Sequence, residues 1–232
     1  EHIFDNRKKL NPNRSVLELA DACSEYKNEV AAVASWDVVP YILNYRRSQL
    51  PIDYKSRHMV SAQVRCDSVT LNRALKTLGE KHPKLLFVEF CETDFYGHHG
   101  KWNEYLNAAH QNDAFIRKLW QYCQNDEFYK GNTTFIITCD HGRGKSLGLH
   151  INRGEVDPAA SWTEHGQHIA GSNQTWLVAF GKDIQHLGEV EGGKTIYTKQ
   201  IAPTIAHILN VPFTNGDEQV ATPIYKILKQ AN

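Results

Sequence analysis

The chain has 232 residues, with 26 Lys plus Arg balanced by 26 Asp plus Glu, and a mean hydropathy of −0.51. A neutral chain offers no electrostatic footprint for nucleic acid or an anionic membrane, and no apolar run nears the roughly 18 residues of a membrane span. The five cysteines (Cys23, Cys66, Cys91, Cys123, Cys139) form no CxxC pair and are odd in number, which argues against a disulfide framework and a structural zinc knot.

In chain order, "SVLE" at Ser15 to Glu18 has capping-box spacing and opens a helix through Ala22. "EVAAVASW" predicts a strand near 30–35. "DVVPYILNYRRSQL" predicts one helix with Pro40 in its first turn, where proline is tolerated. Residues 51–65 have no period and are expected to form a loop. "DSVTLNRALKTLGEKHP" predicts a helix with Asp67 as its cap and Leu71, Ala74, Leu75 and Leu78 on one face, ended by Gly79 and Pro83. "KLLFVEF" is a short strand near 84–91. Residues 102–124 predict a long amphipathic helix, and "TTFIITC" a strand near 133–139. Lys145 to Gln174 is a long polar stretch, of the kind that is usually functional. "TWLVAFG" predicts a strand near 175–181. "TKQIAPTIAHIL" predicts a helix interrupted by Pro203, and "TPIYKILK" a short helix.

Strands alternate with helices, which predicts an α/β fold: one mostly parallel central sheet with helices on both faces. No repeat, linker or boundary divides the chain, so a single domain is expected over 1–232. In such sheets ligands bind at the carboxyl ends of the strands. Three strand-linked segments carry suitable groups. "LLFVEFCETD" delivers Asp94, with His98 four residues on. "FIITCDHGRG" ends in Asp140 and His141. The polar stretch carries His165 and His168 in "TEHGQH". Carboxylate and imidazole are ligands for zinc or manganese. Asp-x-x-x-His puts both groups on one face of a helix. Arg143 and Lys145, just after the Asp-His pair, are candidate contacts for a substrate anion. His99, His110, His150, His186 and His207 read as ordinary surface or packing residues.

"ETDFYGHHGKWNEYL", "TCDHGRG" with "WTEHGQHIAGSNQTWLVAFG", and "IAPTIAHILNVP" together resemble the alkaline phosphatase superfamily, in particular its nucleotide pyrophosphatase/phosphodiesterase-like and sulfatase-like branches. The resemblance implies an alkaline-phosphatase-like sheet with both Asp94 and Asp140 at one edge. It implies two divalent metal ions, zinc or manganese. Asp94, His98 and His165 would hold one, with His165 preferred to His168 by the His-Gly that precedes the last strand and His98 to His99 by spacing. Asp140 and His141 would help hold the second. It further implies a metal-dependent hydrolase of phosphoric esters, a phosphodiesterase or phosphomonoesterase with a small-molecule phosphate ester as substrate, or a sulfatase-like sulfuric ester hydrolase as the alternative, and a periplasmic or secreted location. In that family another metal-binding Asp and a Ser or Thr nucleophile precede these motifs, so the catalytic nucleophile is expected upstream of Glu1. A non-catalytic metal-binding domain is the alternative if that part is absent.

Overall fold

The computed structural model describes residues 6–145, 161–213 and 221–229, and its architecture is α/β. β1 (Val30–Ala34) is the middle strand of a three-stranded parallel sheet, between β2 (Ile52–Asp53) and β3 (Leu85–Glu89). Val30 to Ala34 pair one for one with Leu85 to Glu89. All of β1 is buried, which explains a strand sequence, VAAVA, with no polar alternation: helices cover both of its faces. α1 (Val16–Ala22) and α7 (Ile201–Ile208) pack on Val30, Ala32 and Ala34. α4 (Asp67–Lys81) and α6 (Trp102–Asn125) close over Val33 with Leu71, Leu78, Phe115 and Leu119. Burying each such Leu or Phe contributes on the order of 1.5–3 kcal/mol.

Local chemistry sets the element boundaries, and in five places corrects the sequence reading. Ser15 does cap α1, accepting from the Glu18 amide at 3.2 Å. The expected single helix over 37–50 is two short ones, α2 (Val39–Ile42) and α3 (Tyr45–Ser48). Asn44 breaks it by taking a left-handed conformation (φ 45°), while its amide donates to the Asn11 carbonyl at 2.7 Å. The segment read as loop supplies β2. α4 runs through Gly79 and stops at His82, itself left-handed (φ 46°). Pro203 does not interrupt α7, because it sits in the first turn, whose amides have no intrahelical partner. "TPIYKILK" forms only a 3₁₀ turn, Tyr225–Ile227.

The largest correction concerns the sheet. β4 (Thr134–Thr138) and β5 (Leu177–Gly181) do not join the other strands but form a separate antiparallel pair, Thr134 opposite Gly181 and Thr138 opposite Leu177. The chain leaves β4 at its carboxyl end and re-enters β5 at that same end, so β5 returns without a crossover; a parallel pairing would need one. A cleft of about 2080 Å³ is lined by β3 and β4 among other segments, with Ile116 and Leu119 of α6 and Ile205 and Ile208 of α7. Asp94 and Asp140 follow the carboxyl ends of β3 and β4, which belong to different sheets, yet each lies 3.6 Å from His141 Nε2. No helix among the described residues is long and apolar enough to cross a membrane.

Candidate metal centre

The chain turns straight from β3 into α5 (Glu92–His98), so the Asp-x-x-x-His segment is helical and both side chains share one face. His98 Nε2 lies 3.5 Å from Asp94 Oδ2. His165 comes from the loop before β5 and places its Nε2 3.0 Å from His98 Nε2 and 3.7 Å from Asp94 Oδ1. The donor atoms of Asp94, His98 and His165 all lie within 4.8 Å of one another, a group that could hold a metal ion. His168 is exposed and outside the group, and His99 turns back to the Phe95 carbonyl at 2.7 Å.

Donor chemistry tests the fit. Two imidazole nitrogens 3.0 Å apart need a proton or a cation between them. Ligands bound tetrahedrally to zinc at about 2.0–2.2 Å stand roughly 3.3–3.5 Å from one another. The 3.0 Å between the two imidazole nitrogens is close to that spacing, and His98 and His165 approach opposite oxygens of Asp94, at 3.5 and 3.7 Å. Burial, with His141, His98 and Arg143 nearby, lowers the pKa of His165, while Asp94 opposes the shift. The ring is thereby kept neutral, the form that binds metal. These three residues fit a divalent ion of the zinc or manganese type.

The Asp140-His141 pair sits beside this triad. His141 Nε2 is 3.6 Å from Asp94 Oδ1 and 3.6 Å from Asp140 Oδ2, and its ring stacks on His165 at 3.5 Å between centroids. Its Nδ1 lies 2.9 Å from the Gly142 carbonyl, which assigns the proton to Nδ1 and leaves Nε2 as a lone-pair donor. Asp140 is largely exposed, its Oδ1 accepting from the His141 amide at 3.0 Å. Asp140 and His141 thus lie adjacent to the three donors of Asp94, His98 and His165.

The structure answers why a strand ending in Asp-His is followed by Gly-Arg-Gly. A Cβ on Gly142 would lie 2.2 Å from the Gly171 carbonyl oxygen and 2.4 Å from that of Gln174, so only glycine lets the backbones touch. The Gly142 amide donates to Ser172 at 2.8 Å and that of Gly144 to Glu164 at 3.1 Å, holding His165's loop alongside. Arg143 crosses over Gly97 of α5, where a Cβ would meet its guanidinium at 2.6 Å. It ion-pairs with Asp94 Oδ1 and donates to the Asp94 carbonyl at 3.0 Å and the Thr163 carbonyl at 2.8 Å. Its guanidinium ties the segments of Asp94 and Thr163 together, and Arg143 also lines the cleft, where a substrate contact was expected. Lys145 is exposed. Trp162 secures the same loop, lying 5.0 Å from Trp102 and 5.6 Å from Tyr105 of α6.

Sequence reasoning missed two carboxylates behind the site, the half-buried Glu89 and the buried Asp67. Glu89 accepts from the Ser35 and Trp36 amides at 2.9 and 3.0 Å, and burial pushes its pKa up to about 7, with Asp67 and Asp140 adding to the rise. Asp67 is 1% exposed and reaches across to α5. Cys91 is no reactive thiol: burial and the carboxylates of Glu89 and Asp94 raise its pKa far above the ordinary range.

Fold and site thus define an α/β metal-site protein, with carboxylate and imidazole gathered at the carboxyl ends of its strands. The profile of the Metalloenzyme superfamily matches residues 28–212, and the chain belongs to that superfamily, in agreement with the alkaline-phosphatase-like resemblance. A curated relative, a 2,3-bisphosphoglycerate-independent phosphoglycerate mutase from Gracilaria tenuistipitata var. liui, is 26% identical over 142 residues. That match covers 61% of this chain but 24% of the relative, so the chain spans about a quarter of the relative's length.

Proposed function

We propose that the chain carries the metal centre of a phosphoryl-transfer enzyme that acts on a small-molecule phosphate ester. Asp94, His98 and His165 hold one divalent ion, and Asp140 and His141 contribute to a second. The observation that carries this reading is the convergence of two imidazoles and a carboxylate from two separate segments, α5 and the loop before β5. A divalent pair at such a site would neutralise charge on the transferring phosphoryl group and activate an attacking oxygen. The chain's own residues orient it. Arg143 fixes Asp94 and the loop of His165, and the Nδ1 proton of His141, directed to the Gly142 carbonyl, turns Nε2 toward the metal. Arg143, which lines the cleft, and Lys145, exposed past the Asp-His pair, are the nearby cations for a substrate anion.

Within phosphoryl transfer, hydrolysis is the first reading, with water as final acceptor. The second is a mutase, in which a hydroxyl takes the phosphoryl group; the relative's name favours it. The natural gene product, loaded with zinc or manganese, is given 2-phosphoglycerate and p-nitrophenyl phosphate and followed by ³¹P NMR. Release of inorganic phosphate supports hydrolysis and a shift to 3-phosphoglycerate supports the mutase. A protein that binds zinc and manganese but changes neither compound contradicts phosphate-monoester chemistry, while bis(p-nitrophenyl) phosphate cleavage would identify a diesterase.

A further inference from the structure

Behind the candidate metal centre runs a buried chain of polar groups with no assigned role. Arg65, Thr70, Ser35 and Asp67 are each 0–1% exposed. Arg65 is anchored on Asp53 of β2, and its Nε donates to the Thr70 hydroxyl at 3.0 Å. The Thr70 hydroxyl is 2.7 Å from Ser35 Oγ, and Ser35 Oγ donates to Asp67 Oδ1 at 2.6 Å. Because Arg65 can only donate and the Asp67 carboxylate only accept, the two hydroxyls between them are fixed: Thr70 donates to Ser35, and Ser35 to Asp67.

The end of this chain is the start of α5. Cys91, its N-cap, makes no side-chain capping bond, so the first amides of the helix need partners from elsewhere. Asp67 supplies them: Oδ1 accepts from the Cys91 amide at 2.9 Å and Oδ2 from the Glu92 amide at 3.0 Å. The Asp67 amide in turn donates to the Glu92 carboxylate, also at 3.0 Å. The first residues of α4 and α5 thus lock each other reciprocally. The sequence reading made Asp67 the cap of its own helix; the structure spends its carboxylate on α5.

We infer that Asp67 is a positioning residue for the metal centre: by capping α5 in trans, it sets where Asp94 and His98 stand. The inference rests on the metal reading of Asp94, His98 and His165. α5 is only seven residues long, with Asp94 third and His98 last, so a tilt at its capped end moves both ligands. Partners behind the ligands of a metal site typically govern affinity by 10–100-fold. Asn at 67 would keep one acceptor oxygen but turn an NH₂ toward an amide that now donates to it.

The test is zinc titration against a competing chelator, with Co(II) absorption as a second readout, on wild type, Asp67→Asn and Ser35→Ala, each at a temperature where circular dichroism shows it folded. Asp67→Asn is expected to bind zinc on the order of tenfold more weakly or worse, with a changed Co(II) spectrum. Ser35→Ala, which removes one donor from the same oxygen, should fall between. Wild-type affinity and spectrum in folded Asp67→Asn overturns the inference. If that variant does not fold, unchanged affinity in Ser35→Ala overturns it. A wild-type chain that binds no zinc or cobalt instead removes the site reading beneath it.

Discussion

At the scale of single residues, glycine and arginine after the Asp-His pair do more than end a strand. The Gly142 position leaves no room for a methyl group between rigid carbonyls. Gly142→Ala is expected to cost about 1–3 kcal/mol through overpacking, visible as a lowered melting temperature, and to weaken metal binding because it parts the two loops. A melting curve unchanged from wild type would refute that close packing. Arg143→Lys is expected to weaken zinc affinity while leaving the fold intact, since an ammonium lacks the planar fork that reaches both Asp94 and the Thr163 carbonyl. Equal affinity would make Arg143 incidental to the site. Glu89 gives a pH prediction. Its pKa in the folded protein is about 7, against 4.5 as the ordinary value, so the fold holds its proton more tightly than the unfolded chain does. That contribution is fully present below pH 4.5 and is lost as pH rises through 7. Metal-free wild type should therefore melt lower at pH 8 than at pH 6, and Glu89→Gln should flatten most of the difference. A wild-type profile that rises over this range would contradict the half-buried, protonatable Glu89. Asp67, pushed up to about 6, acts in the same direction at lower pH.

At the scale of elements, the group that could hold a metal was legible because chemistry and periodicity coincide there. An apolar strand pattern that stops at Asp-x-x-x-His or Asp-His gives away both the strand and the polar tip, as in β3 with α5 and in β4. The network of Arg65, Thr70, Ser35 and Asp67 was not legible. Its members lie in a segment without period, at the end of a strand and inside a helix, and only the tertiary fold brings them together. The break at Asn44 was hidden for a related reason: a left-handed residue inside a helical pattern is held by a partner, Asn11, distant in sequence. The loop of His165 shows the same dependence, since Trp162 anchors it on Trp102 and Tyr105 of α6. Trp162→Ala is expected to loosen that loop and lower zinc affinity several-fold, with little change in helix content by circular dichroism. A loss of helical signal would instead make the aromatic cluster part of the fold's own stability.

At the scale of the whole molecule, the alternation of strand and helix gave the α/β class and the helices on both faces of the parallel sheet. It did not give the separation of β4 and β5 from the other strands, because hydrophobic pattern marks a strand as buried without naming its neighbour. What unites the two sheets functionally is the place where β3, through α5, and β4 bring their polar ends together. The account as a whole stands on the claim that this place holds a divalent metal. The direct measurement is zinc content and affinity of the metal-stripped chain after reloading, for wild type beside His98→Ala and His165→Ala. Three donors complete one site and two more begin another, so wild type should take up one zinc tightly and a second weakly. Each variant should lose the tight zinc while keeping its melting temperature within a few degrees. A wild-type chain that retains no zinc, or variants that retain it undiminished, would contradict the claim.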